Sequence, residues 1–73
     1  MKAKLKIHND KLNGSKFIEV WNKQFFAIYD VDKDSNDVSL RQITGNIKIR
    51  QVQDLTDKLS RGLNRYCKSI LIS

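Results

Sequence analysis

The sequence predicts an α+β fold: an antiparallel sheet of four or five short strands, with one C-terminal amphipathic helix packed on one face. Three observations predict it. Residues 2–8, KAKLKIH, alternate apolar and polar with a period of two. Segments dominated by β-branched and aromatic residues follow, and from Asp54 the apolar period lengthens to that of a helix.

In the first segment Ala3, Leu5 and Ile7 share one face, while Lys2, Lys4, Lys6 and His8 share the other, which is the pattern of a half-buried strand with a basic outer side. NDKLNGSK then reads as a loop, marked by Asn13-Gly14. KFIEVWNKQFFAIYDVD allows two readings. As a helix it aligns Phe17, Trp21, Phe25 and Ile28. As a hairpin it gives arms FIEVW and FFAIYDV joined through Asn22-Lys23-Gln24, and the β-branched and aromatic content of both arms favours the hairpin.

Val38 to Ile43 reads as a further strand, Thr44-Gly45-Asn46 as a turn, and Ile47-Lys48-Ile49-Arg50 as another alternating strand. Leu55, Leu59, Leu63, Tyr66 and Ile70 then keep one apolar stripe at helical spacing. Asp54 is placed to cap this helix, with Asp57 in the first turn favourable to its dipole. Gly62 falls inside it, at a cost of about 1 kcal/mol relative to alanine. The apolar end, SILIS, finishes the helix, forms a short last strand or meets a partner. A helix-turn-helix within SLRQITGNIKIRQVQDL is the competing reading. It fits less well because Arg41, Thr44 and Asn46 occupy positions that want small or apolar residues, and Ile47 and Ile49 alternate as in a strand.

The 73 residues make a single small domain, 1–73, whose core leaves a thin stability margin. The lone cysteine, Cys67, excludes an internal disulfide framework and fits a reducing, cytoplasmic setting. The N-terminus has no continuous apolar core of the signal-peptide kind, and no run approaches a membrane span, so a soluble chain is expected. Fourteen Lys and Arg oppose eight Asp and Glu, for a formal charge of +6. Four of the acids crowd into residues 30–37, DVDKDSND, beside Lys33. The remaining 65 residues therefore hold thirteen cations against four anions, a balance of +9. Such a surface attracts polyanions, of which nucleic acid is the commonest in a cell.

The aspartate cluster resembles a calcium loop in spacing, with Asp30, Asp32 and Asp34 at positions one, three and five. Position six is Ser35 where the turn wants glycine, and position twelve is Arg41 where a bidentate glutamate belongs. The cluster therefore reads as a polar bend, a role for which Asp and Asn are suited, and no metal is expected. His8 and Cys67 have no partners at nucleophile-and-base spacing, and there is no glycine-rich phosphate loop. The chain is expected to be neither an enzyme nor a cofactor binder.

The basic surface carries the functional reading. With Leu5, Ile7, Ile18, Val20, Leu40, Ile47 and Ile49 under the helix, the outer sheet face would show Lys2, Lys4, Lys6, His8, Arg41, Lys48 and Arg50. Alternation adds Phe17 and Trp21. A turn that keeps Trp21 opposite Phe25 adds Phe25 and Tyr29, whereas a one-residue slip would bury the rings. Cations around exposed aromatic rings suit single-stranded nucleic acid, with phosphates on Lys and Arg and bases stacked on rings.

On the helix, Lys58 and Arg61 have acidic i−4 neighbours and read as a solvated face. Arg65 and Lys68 lack them, and with Arg61 they form a second candidate phosphate contact. The leading expectation is a nucleic-acid-binding module for single-stranded DNA or RNA or a duplex backbone, completed as a homodimer. The alternative is a small accessory or inhibitor protein docking on an acidic protein partner. A similar strand order with a closing helix serves several small nucleic-acid binders, including single-stranded-DNA-binding coactivators and Pur-type repeats. That likeness is one of architecture, which does not fix function.

Overall fold

The computed structural model describes residues 1–9, 12, 14–62 and 68–73. Four strands run in succession, β1 (Lys2–Asn9), β2 (Lys16–Trp21), β3 (Phe25–Val31) and β4 (Val38–Gly45). Helix α1 (Ile49–Ser60) and a short strand β5 (Ser69–Leu71) follow. The order in the sheet is β4-β3-β2-β1-β5, with every neighbouring pair antiparallel. The first four strands thus form a meander. The chain then crosses by way of α1 from the β4 edge, and β5 closes the sheet against β1.

One face of the sheet is the core. Ala3, Leu5, Ile18, Val20, Phe25, Ala27, Tyr29 and Val31 are buried on it together with Leu55 and Leu59 of α1 and Ile70 and Ile72 from the end of the chain. Alternation explains why these residues share a side, and the i to i+4 step explains why Leu55 and Leu59 meet them. Tyr29 is fully buried, and its hydroxyl lies 2.7 Å from Thr56 Oγ1, tying β3 to α1. Burial pushes the Tyr29 phenol above its ordinary pKa, against the opposing effect of the Thr56 hydrogen bond.

The fold class holds, with corrections to the elements. The helix begins at Ile49 and ends at Ser60, so Ile47 to Arg50 is not a strand and Ile70 belongs to β5. Leu63 and Tyr66 lie outside the described residues. Lys48, not Asp54, precedes the first turn, and the Gln51 side chain reaches back to accept the Lys48 N–H at 3.1 Å. Leu40 and Ile49, expected in the core, are exposed, while Ile7 and Ile47 pack at its margin. No described helix is long and apolar enough to cross a membrane.

Asp54 has a different role from the one its sequence position suggested. Its carboxylate accepts the Ser73 N–H at 3.0 Å and pairs with Lys58 at 3.0 Å, joining the helix to the residues after β5. The Lys58 ammonium also donates to the Leu71 carbonyl. The Ser73 N–H and then Lys58 hold the Asp54 carboxyl below the usual carboxylate range. A depressed folded-state pKa stabilises the fold above the unfolded carboxyl value, and the contribution disappears as pH falls through the folded value. Asp54→Asn is therefore expected to be less stable than the parent at neutral pH. In urea melts across an acid series, the gap should close once both states are protonated; a gap that persists there would assign the loss to packing.

Candidate functional site

The opposite face of the sheet is uncovered among the described residues, and strand register arranges it in rows. Lys4, Trp21, Phe26 and Thr44 stand side by side across β1 to β4, as do Lys6, Glu19, Ile28 and Gln42, and then His8, Phe17, Asp30 and Ser39. On the far side of β1, Ser69 opposes Lys4 and Leu71 opposes Lys2. Three rings therefore face outward, Phe17, Trp21 and Phe26, all half-buried.

The condition that would turn Phe25 and Tyr29 outward, Trp21 opposite Phe25, is not met, and the hairpin turn gives the reason. The Asn22 N–H donates to the Phe25 carbonyl at 3.0 Å. The Asn22 side-chain oxygen accepts the N–H groups of Gln24 and Phe25 at 2.7 and 3.1 Å. Asn22 thus pairs with Phe25 across a two-residue tip, which sets Trp21 opposite Phe26 rather than Phe25. One residue of register turns Phe25 and Tyr29 into the core and Phe26 out. Asn is suited to this position because its side chain caps its own turn.

Trp21 lies where two overlapping shallow depressions meet, both lined by Lys2, Lys4, Trp21 and Ser69. One extends to Asn22 and Lys23, the other to Lys6 and Lys68; their volumes, about 520 and 570 Å³, are those of small-ligand clefts. Among the described residues, no carboxylate lines either depression. Among the described residues, none of these five lysines forms a salt bridge, in contrast to Arg41, Lys58 and Arg61. All five lysines are exposed, and a long aliphatic stem lets such a side chain cover apolar surface while its charge stays in water.

The row at the other end is already occupied by its own contacts. His8 stacks on Phe17 with ring centroids 4.5 Å apart and planes 7° from parallel. The His8 Nε2 faces the Glu19 carboxylate. Residues 28 and 29 of β3 pair with 42 and 40 of β4, so Arg41 is the extra residue of a β-bulge. The bulge lets its guanidinium bind Asp30 through two nitrogens and lie 5.4 Å from the Phe17 ring centre. The Arg41 hydrogen bond holds the Asp30 carboxyl below its ordinary pKa. Phe17 is thus engaged from β1 and from β4, whereas Trp21 lies beside lysines that form no salt bridge among the described residues.

The aspartate bend is a self-contained turn. Asp32 Oδ1 accepts the N–H groups of Asp34 and Ser35, the Asp32 backbone bonds to Asn36 and Asp37, and Asn36 takes a positive φ of 64°. Among the described residues no group of three His, Cys, Asp or Glu is placed to hold a metal ion.

The sequence-predicted cations separate. Lys2, Lys4 and Lys6 share the outer face with Trp21, and Lys68 joins them from the residue before β5 rather than from a helix. Lys48 and Arg50 are not on the sheet face, because the chain turns into α1 at Ile49 and carries both to the helical layer. Arg61 pairs with Asp57 at 3.0 Å, and Arg65 and Cys67 lie outside the described residues. Lys23 was missed as a site residue; its position in the turn directly after Trp21 was the available signal.

No protein-family model, curated protein or solved structure matches this chain. The site's own chemistry must therefore carry the functional reading.

Proposed function

We propose that this chain is a nucleic-acid-binding module that takes its ligand on the outer face of the sheet. One observation carries the reading: Trp21 sits where two depressions meet that are lined by Lys2, Lys4, Lys6, Lys23 and Lys68 and, among the described residues, by no carboxylate. Lysine ammonium groups neutralise phosphates, and a half-exposed indole offers a stacking surface to a base. The acidic bend at 30–37 supports the same reading. It gathers negative charge near the β3–β4 connection and leaves the β1 side of the sheet cationic.

The test is titration of labelled DNA and RNA oligonucleotides by fluorescence anisotropy at several salt concentrations. If the five lysines each neutralise one phosphate, single-strand affinity should fall about a hundredfold between about 50 and 200 mM salt, from counterion release. Absence of binding to every oligonucleotide at low salt would defeat the reading.

A second reading, docking on an acidic protein, is favoured by Leu71. This side chain stands on the edge strand opposite Lys2 and is 66% exposed, an apolar group at the rim of a cationic surface. A single stoichiometric protein partner that survives nuclease treatment and is lost on Leu71→Asp would support it.

A further inference from the structure

We infer that the preferred ligand is a single strand whose phosphates follow β1 and one of whose bases stacks on Trp21. This rests on the nucleic-acid reading and narrows it.

Three features of the face point to a single strand. Lys2, Lys4 and Lys6 all project outward from one strand. Residues two apart on a β-strand are separated by about 6.8 Å, which is comparable to one phosphate-to-phosphate step of an unstacked chain. β1 is therefore a cationic rail of the right pitch. Trp21 lies directly across from the middle of that rail, opposite Lys4, so a base belonging to the nucleotide held there falls over the indole.

The second feature is shape. Trp21 is half-buried in the floor of a depression, with lysines at the rim. A paired base inside a duplex stacks on its neighbours and cannot reach a recessed ring without being extruded, at a cost of a few kcal/mol. An unpaired base reaches it directly.

The third feature limits stacking along β1 and β2 to the Trp21 end of the face, where Phe26 of β3 is the neighbouring ring. Phe17, the other ring of β2 on this face, is stacked by His8 and approached by Arg41. Beside it, Glu19 places a carboxylate opposite Lys6 and against His8. A base moving along the rail beyond Lys6 would meet a carboxylate and an occupied ring. The site is thus short, centred on Trp21 and open toward Lys23 and Lys68.

Trp21 is the chain's single tryptophan, so its own fluorescence reports the event. The experiment titrates the full chain with a short oligothymidylate and with a blunt duplex of equal length at low salt, following indole emission and, separately, anisotropy of labelled DNA. The expected result is saturable quenching by the single strand and at least tenfold weaker duplex binding. Trp21→Ala should lower single-strand affinity about tenfold or more, the range found for loss of one stacked base, while Trp21→Phe retains most of it. Phe17→Leu, on the occupied ring, should leave affinity within about twofold. Thermal melts of each variant establish that it is folded. Equal binding of duplex and single strand, or unchanged single-strand affinity in folded Trp21→Ala, overturns the inference and leaves the nucleic-acid reading standing. Failure of both ligands to bind at low salt overturns both.

Discussion

Alanine at Gly45 is expected to lower the melting temperature by more than about 10 °C. Gly45 ends β4 opposite Phe25 with φ of 97°, a conformation that L-residues avoid. A Cβ built there would lie 2.4 Å from the Gln24 carbonyl oxygen and 2.7 Å from the Phe25 Cα. Both are backbone atoms, so no side chain can swing away to make room. Left-handed backbone costs an L-residue about 1–2 kcal/mol, and overpacking adds about 1–3 kcal/mol. A domain of this length has roughly 4–11 kcal/mol of total stability at 0.05–0.15 kcal/mol per residue. One methyl group therefore removes a large share of it. The contact also matters for the outer face, because Gln24 and Phe25 close the hairpin that turns Trp21 outward, and the Asn46 N–H donates to the Gln24 carbonyl at 2.7 Å. Differential scanning calorimetry checks this; a shift under about 4 °C, the effect of roughly 1 kcal/mol, would mean that the turn relaxes around the added carbon.

The largest effect on binding is expected from replacing Lys2, Lys4 and Lys6 together with glutamine. At about 50 mM salt, three lost single-strand phosphate contacts correspond to a several-hundredfold loss of affinity, and the slope of log K against log salt should become shallower by about 2. Glutamine is preferred to glutamate because position 6 stands opposite Glu19, where a second carboxylate would form an unfavourable like-charge pair. All three lysines are exposed, so melting temperature should change little. Lys48→Gln with Arg50→Gln removes the same kind of charge from the helical layer and should leave binding nearly intact. An unchanged salt slope in the β1 variant, or an equal loss in the helix variant, would move the site off this face.

The strands were legible because their period of two is strongly expressed. β1 alternates from Lys2 to Lys6 before Ile7 and His8 both become half-buried, and the hairpin arms fall where β-branched and aromatic residues concentrate. Register was not legible, because it depended on one side chain: Asn22 capping its own turn decides which of Phe25 and Phe26 is inside. The helix was found but misplaced. Ile47 and Ile49 alternate over too few residues to distinguish a strand from the approach to a helix, and only packing of Leu55 and Leu59 fixes where the helical face lies. Ile70 continued the helical stripe by coincidence of spacing, whereas its burial comes from pairing with Ala3 in the sheet. For the outer face, the three lysines of β1 followed from alternation alone, whereas the exposure of Trp21 also depended on the register. The approach of Lys68 and Lys23 required the β1–β5 pairing and the turn, neither of which leaves a periodic signal.

The borders of the sheet bear on how the protein behaves when concentrated. A row of unsatisfied amides and carbonyls at a sheet edge is a template on which identical chains polymerise. Here the Arg41 bulge breaks the repeat of β4, and the Lys58 side chain takes the Leu71 carbonyl at the opposite border. Among the described residues neither margin offers an unbroken ladder to an incoming strand, and both interruptions are expected to oppose edge-to-edge fibre growth. The expected sign of losing that protection is thioflavin-positive material from Lys58→Ala at concentrations where the parent chain remains clear.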